Sequence, residues 1–336
     1  MRVLLVISLF ACLSCVNTSE KSNPNKKYLN KPKIVLVLHG GAGHIVKESM
    51  SDSLTEAYKT KLTEAAMAGF YKIKEGESAV HAVEASIKIM ENSPLFNSGK
   101  GAVFTKNMQH ELDASIMDGA SQNAGAVAGV QYTKNPISLA RAVMEYSPHV
   151  LLSGQGADSF ALTQNLTQVP NNYFSVEDKR QAFLQKNASF YDAFIQNKKY
   201  GTVGCVALDS DGNLAAGTST GGMSNKQYNR IGDSPLIGAG TYAENEVCGV
   251  SCTGWGEYFI RNVAAYDVAA RIKYNKESVN NAVESVLQKI EHMGATGGII
   301  ALNNNGEVAM HCTTKGMFRA TVSEEGKVEV GFFETN

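Results

Sequence analysis

Thr202 is the residue around which chemistry can be built. It follows Gly201 and opens an apolar run, Val203–Leu208, which is followed by Asp209-Ser210-Asp211-Gly212-Asn213 and a second apolar run, Leu214–Gly217. The middle tract is rich in residues that tolerate turn conformations, so the pattern predicts a β-hairpin. Alone, a Gly-Thr dipeptide marks a strand start and nothing more. A threonine hydroxyl becomes a useful nucleophile only beside a base, and a threonine at the start of a chain carries one, its own α-amine. That amine titrates near about 7.7–8.0, against about 10.4 for lysine, so a useful fraction is neutral at neutral pH. Cutting the Gly201–Thr202 bond would create it. Glycine before the threonine, lacking Cβ, lets that bond adopt the strained geometry that attack by the hydroxyl requires.

Other reactive groups follow within a short span. Thr220 lies in a Thr218-Ser219-Thr220-Gly221-Gly222 turn, where its hydroxyl can bond the nucleophile. Arg230 and Asp233 are separated by Ile231 and Gly232; as a guanidinium and a carboxylate they either pair with each other or read the α-carboxylate and α-amine of an amino acid. Thr253-Gly254 closes the apolar run Val247–Cys252, and a hydroxyl and an N–H at such a strand end can form an oxyanion hole, typically worth about 2.7–4 kcal/mol per donor. A serine mechanism is the competing chemistry. Gly217-Thr218-Ser219-Thr220-Gly221 satisfies GxSxG, His39-Gly40-Gly41 is like an esterase oxyanion loop, and His292 or His311 could complete a triad. The elbow must lead directly into an apolar-faced helix, however, and Gly222–Asn229 is polar and loop-like. Asp113 and Asp118 are read as securing turns around a buried strand, and His39 as held by hydrogen bonds under the glycine-rich turn His39–Gly43, which lacks a Walker ending.

The elements that must position these groups alternate between helical and strand patterns. Leu54–Ile73 and Val80–Met90 carry apolar residues at helical spacing, as does Ser278–Met293. Lys33–Leu38, Ala124–Val130, Gly297–Leu302, Val308–His311 and Val328–Phe333 read as strands, and Pro136–Val150 as a helix. Leu151–Tyr200 is dominated by Gln, Asn, Lys and Ser with a weak apolar period, the composition of a mobile tail leading to the cut. With 31 basic and 32 acidic residues and no charged block, the chain has no nucleic-acid footprint. Val3–Ala11 is too short to span a bilayer and reads as a signal peptide over 1–15, with a polar tether over 16–32. Cys12 and Cys15 then resemble a bacterial lipoprotein signal, either cysteine serving as the lipidated residue; an ordinary secretory leader is the alternative. Export to a periplasm or a membrane-anchored lipoprotein is the expectation. Cys205, Cys248, Cys252 and Cys312 match no zinc spacing and read as core, though a disulfide is allowed in an exported protein.

GTVG at Gly201, TSTGG at Thr218, RIGDSPLIGAGTYA at Arg230 and SCTGWGE at Ser251 resemble, in order and spacing, the plant-type asparaginase and isoaspartyl-peptidase family of N-terminal-nucleophile hydrolases. The match runs from Lys33 to about Ala320. Composition alone gives α plus β; the resemblance implies an α+β fold, a four-layer αββα sandwich. It implies self-cleavage before Thr202 into an α subunit, 33–201 with 151–201 as its mobile tail, and a β subunit, 202–336. Thr202 would be the nucleophile, Thr220 its partner, Thr253 and Gly254 the oxyanion hole, and Asn97 the residue facing the threonine. Arg230 and Asp233, with Thr253 and Gly254, would bind the substrate. The reaction implied is hydrolysis of β-aspartyl dipeptides and of the asparagine side-chain amide to aspartate, with no catalytic cofactor, in a dimer of cleaved protomers. A structural sodium is implied at the loop after the second helix, through main-chain oxygens of Met90, Glu91, Ser93, Phe96, Ser98 and Lys100; Ser93 and Lys100 depart from what relatives often carry, which matters little for main-chain ligands. Glycosylasparaginase is the rival within the family, although the HGGAG, PLFNSGKG and SCTGWGE forms look more like the isoaspartyl-peptidase branch. A non-catalytic surface lipoprotein keeping the fold is the alternative from another class.

Overall fold

A computed structural model describes residues 35–186 and 201–333. The expected leader and tether, with Cys12 and Cys15, and residues 187–200 of the expected tail lie outside the described residues. In chain order the main elements are β1 (Val35–Gly43), α1 (Asp52–Lys74), α2 (Ala79–Glu91), β2 (Leu112–Asp118), β3 (Ala124–Val130), α3 (Pro136–Tyr146), β4 (Leu151–Ser153), α4 (Gly154–Thr163) and α5 (Glu177–Lys186). After residue 201 come β5 (Val203–Leu208), β6 (Leu214–Thr220), β7 (Thr241–Glu244), β8 (Cys248–Gly254), α6 (Gly256–Asn262), α7 (Ala264–Asn275), α8 (Val279–His292), β9 (Gly297–Asn303), β10 (Val308–Cys312), β11 (Gly316–Val322) and β12 (Val328–Phe333).

The strands form two sheets, one in the order β12-β11-β1-β5-β6-β2-β3-β4 and one in the order β10-β9-β8-β7. Alternation along β5 shows how they stack. Val203, Cys205 and Ala207 join the cluster under α1, α2 and α3, whereas Val206 and Leu208 meet Ile300 and Leu302 of the second sheet. The outer face of that second sheet is covered by α7 and α8, through Val250, Cys252, Val268, Val283 and Val286. Both central strands are thus buried on two faces, and the architecture is the expected four-layer αββα sandwich. Ser51 and Ser278 cap α1 and α8 by accepting the N–H groups of Leu54 and Asn281.

Three local expectations are corrected. The glycine-rich His39–Gly43 segment is a strand and not a turn: β1 runs through it with a register shift between His39 and Gly41, and Gly40 lets the ring of Phe96 approach where a Cβ would lie 2.5 Å from Cε1. Thr218–Thr220 is likewise the end of β6. Residues 151–186, weak in period, are nevertheless built into the domain. Their anchors are few and non-periodic: Phe174 is fully buried, Asp158 accepts the N–H groups of Gln131 and Thr133, and Asn171 donates to the carbonyls of His110 and Gln131. The four cysteines of the described residues are buried thiols, in keeping with the core reading.

The two sheets approach closely at Gly204, where a Cβ would lie 2.0 Å from Ser251 Oγ of the second sheet and 2.4 Å from His39 Nε2 of the neighbouring strand. Gly204→Ala is therefore expected to destabilise the fold by about 1–3 kcal/mol, read as a lowered thermal midpoint; an unchanged midpoint would show that the inter-sheet gap relaxes freely.

Candidate active site

Thr202 and Thr220 enter the gap between the sheets from neighbouring strands. On β5 and β6 the even-numbered residues face the second sheet, and Thr202, immediately before β5, continues that face. Its hydroxyl donates to Thr220 Oγ1 at 3.0 Å, and the same oxygen accepts the Gly222 N–H at 3.0 Å. Both threonines are buried. Asn97 grips the preceding bond: its N–H donates to the Gly201 carbonyl at 3.2 Å, and its carbonyl accepts the Gly221 N–H at 3.0 Å. Its side chain donates to the Gly222 carbonyl and accepts the Val103 N–H. The contact of Asn97 with the Gly201–Thr202 peptide is thus through its main chain.

The threonine's own carbonyl is held from the other side by His39, whose Nδ1 lies 3.0 Å from Thr202 O. A carbonyl only accepts, so Nδ1 carries the proton and Nε2 accepts from Ser251 Oγ at 3.0 Å. The chain continues through Thr218 at 2.7 Å, Thr241 at 2.6 Å and Ser115 at 2.8 Å, every member fully buried between the sheets. Burial drives the imidazole pKa down to about 3, against the smaller upward pull of its bond to Thr202, so the ring is neutral and takes no acid–base part. None of these partners was legible as such in the sequence, because they are single hydroxyl residues spread over four strands.

Arg230 does not pair with Asp233. It takes Glu257 bidentately, Nε and Nη2 donating to the two carboxylate oxygens at 2.8 Å each, which leaves Nη1 without a hydrogen-bond partner among the described residues. Glu257, the last residue of the SCTGWGE stretch, is a residue of this cluster that the sequence reading missed; its place in the first turn of α6 is the only signal. Asp233 is buried and its Oδ2 has no partner, and burial pushes its carboxyl up to about 7 in spite of the Arg230 charge. Thr253 Oγ1, on the inter-sheet face of β8, also lacks a hydrogen-bond partner. Gly254 lines the same narrow cleft as Gly201, Thr202, Thr220, Arg230 and Asp233, whose volume is about 20 Å³. Such a space holds a water and no amino acid. A guanidinium nitrogen, a carboxylate oxygen without a hydrogen-bond partner and a hydroxyl without one thus stand around the same cleft as Thr202.

Ser219 faces α2, fully buried, bonded to Glu91 Oε1 and Ser98 Oγ at 2.7 Å each and to no histidine, so the GxSxG reading fails on geometry. His311 instead meets Asn280, and His292 ends α8. Asp118 accepts the N–H groups of Ala120 and Ser121 and secures a turn as expected, whereas Asp113 lies opposite Thr220 in β2 and accepts the Gly129 N–H. Met90 and Glu91 end α2, and Ser93, Phe96, Ser98 and Lys100 lie in the following loop. Glycines at 99 and 101, both with positive φ, let that loop fold so tightly that a Cβ would lie 2.3 Å from Glu91 O or 2.8 Å from Phe96 O. Two carbonyls of the loop accept from an ammonium: Lys179 Nζ donates to those of Phe96 at 3.0 Å and Gly101 at 2.6 Å. The Glu91 carbonyl accepts the Lys100 N–H at 2.7 Å.

Because His39 is neutral when folded and ordinary when unfolded, the unfolded chain binds the extra proton between pH 6.5 and about 3. The stability this residue confers is full above about pH 6.5 and falls as the pH drops through that window. Thermal midpoints measured from pH 7 to 5 are expected to fall less steeply for His39→Gln than for the wild type; parallel curves would remove His39 from the acid limb.

Comparison with known proteins agrees with this geometry. The family model described as Asparaginase matches residues 32–332. The isoaspartyl peptidase of Escherichia coli K12 is 46% identical over 296 residues, covering 86% of this chain and 92% of its own. A probable isoaspartyl peptidase/L-asparaginase 2 of Arabidopsis thaliana is 40% identical, covering 89% and 98%, and the isoaspartyl peptidase/L-asparaginase of Mus musculus is 39% identical, covering 89% and 90%. With the sandwich, the paired threonines between its sheets and a family match over nearly the whole described chain, this protein belongs to the asparaginase family of hydrolases.

Proposed function

We propose that this chain is an autoprocessing threonine amidohydrolase that cleaves β-aspartyl dipeptides and the side-chain amide of L-asparagine, releasing L-aspartate. The observation that carries it is the pairing of Thr202 Oγ1 with Thr220 beside a Gly201 carbonyl held by Asn97. In maturation Thr202 Oγ1 attacks the Gly201 carbonyl carbon, the C–N bond breaks, and the ester formed is opened by water. Products are a Gly201 carboxylate and a free Thr202 amine. The 20 Å³ cleft supports this order of events, since Gly201 is part of its wall and its departure makes room for substrate.

In turnover the Thr202 amine takes the hydroxyl proton as Oγ1 attacks the substrate's β-carbonyl. Thr253 Oγ1 and the Gly254 N–H receive the oxyanion, and Thr220 holds the nucleophile's rotamer. Arg230, braced by Glu257, binds the α-carboxylate, and Asp233 accepts the α-ammonium, which explains an otherwise costly unpaired carboxylate oxygen. The amine then protonates the leaving nitrogen, and water hydrolyses the aspartyl ester. The names of the relatives favour this reading over glycosylasparaginase.

Val3–Ala11 followed by Cys12 and Cys15 supports export with a lipid anchor, and the cleaved protomers pair as a dimer, which sedimentation at twice the protomer mass would test. No helix among the described residues is long and apolar enough to cross a membrane. Sodium fits the carbonyl-rich loop at Met90, Glu91, Ser93, Phe96, Ser98 and Lys100, where it would stiffen the support of Asn97; Lys179 already occupies one of its carbonyls, that of Phe96.

Intact mass with N-terminal sequencing tests the central claim. Two fragments, the smaller beginning at Thr202, are expected, with Thr202→Ala remaining whole; a wild-type chain that stays whole on prolonged incubation would refute the threonine mechanism. The same spectrum reads lipid at Cys12 or Cys15. Exchanging sodium for choline is expected to lower the thermal midpoint by about 2–4 °C, and identical midpoints would reject the ion.

A further inference from the structure

The cleft at Thr202 is not the largest space beside Gly201. Gly201 and Asn97 also line a second cavity, of about 350 Å³, a volume typical of small-molecule sites. Its walls are mostly apolar: Leu54 and Tyr58 of α1, Phe104, Phe183 of α5 and Phe318 of β11. They are fixed walls. Tyr58 stacks on Phe318 with ring centroids 3.9 Å apart and donates its hydroxyl to Leu95 O, and Phe104 packs on Phe183 at 5.5 Å. Of its polar lining, Lys179 is engaged with the carbonyls of Phe96 and Gly101, and Ser224 and Asn225 are half-buried.

The direction of proton transfer decides which part of a substrate reaches this space. When the substrate C–N bond breaks and its carbonyl carbon bonds Thr202 Oγ1, the departing nitrogen takes its proton from the Thr202 α-amine. That amine is the atom released from the Gly201 carbonyl, so it points to where Gly201 stood. The aspartyl half is anchored in the other cleft by Arg230 and Asp233. Whatever lies beyond the scissile nitrogen is therefore directed past Gly201 and Asn97.

We infer, on the amidohydrolase reading above, that the 350 Å³ cavity is the leaving-residue subsite and selects β-aspartyl dipeptides whose second residue has a large apolar side chain. Leucine and phenylalanine fit it; glycine leaves it unfilled, and the ammonia released from asparagine never reaches it.

The test compares kcat/KM of the cleaved protein for β-aspartyl-leucine, β-aspartyl-glycine and asparagine. Leucine is expected to exceed glycine by about tenfold or more. Leu54 is 39% exposed and so tolerates a charge; Leu54→Asp is expected to remove that advantage while glycine and asparagine stay within about twofold of wild type. Ser224→Trp, which fills the space from a half-buried position, is expected to produce the same selective loss. Equal wild-type values for leucine and glycine, or both variants depressing all three substrates alike, would overturn the subsite and leave the amidohydrolase standing. No turnover of any of the three would overturn both.

Discussion

A carbonyl buried between two sheets must meet a donor, and at Thr202 that donor is the Nδ1–H of His39. The requirement propagates. For Nδ1 to donate, Nε2 must accept, so Ser251 must present its proton, and Thr218, Thr241 and Ser115 supply the hydroxyls behind it. A run of hydroxyls in the middle of a sandwich is tolerable only because each is paired. It divides the inter-sheet space into two regions: an apolar one, with Val37, Val206, Ile300 and Leu302, and a polar one at the start of β5. The apolar region gives the sheets their adhesion, and the polar region fixes one residue's position and rotamer.

That division explains why the site stands where it does. The start of β5, the end of β6 and the end of β8 come to the same edge of the sandwich, each contributing a threonine, and the strands behind them are locked by pairing on both sides. Loops then bring what strands cannot. The stretch around Arg230 and Asp233 is irregular, with positive φ at Asn225, Tyr228 and Asn229, and it is pinned to the regular part through Glu257 in α6. The unpaired oxygens of Asp233 and Thr253 are a cost that the fold carries.

Legibility followed the physics of each signal. Periodic stripes such as Val279, Ala282, Val283, Val286, Leu287 and Ile290 report a buried face directly, and α1, α2 and α8 were readable from them, as was the β5–β6 hairpin from two apolar runs flanking a turn tract. Glycine is ambiguous: in His39–Gly43 it marks a bulge and a close ring contact, features that a sequence pattern does not separate from a turn. The stretch 151–186 hides its order because its anchors, Asp158, Asn171 and Phe174, act singly. β7, β11, α6 and α7 went unread, α7 because three of its four buried residues are alanines and give a weak stripe. Motif resemblance singled out Thr202, Thr220, Arg230, Asp233 and Thr253, and the hydrogen bond of Thr202 to Thr220 with them, but neither Glu257 nor the hydroxyls behind His39. Hydrogen-bond partners far apart in sequence leave no local trace.

The strand order has a further consequence. In the larger sheet β12 and β11 adjoin β1, β1 adjoins β5 and β6, and β6 adjoins β2, β3 and β4. A break between residues 201 and 202 divides these strands into two sets that alternate across the sheet, so neither piece owns a contiguous half. Each would leave the other with bare edges on both sides of a gap. A nicked molecule of this topology is an interleaved heterodimer in all but its origin: its halves have no independent fold to retreat to, their separation is global unfolding, and reassembly from separated pieces is no longer an intramolecular event.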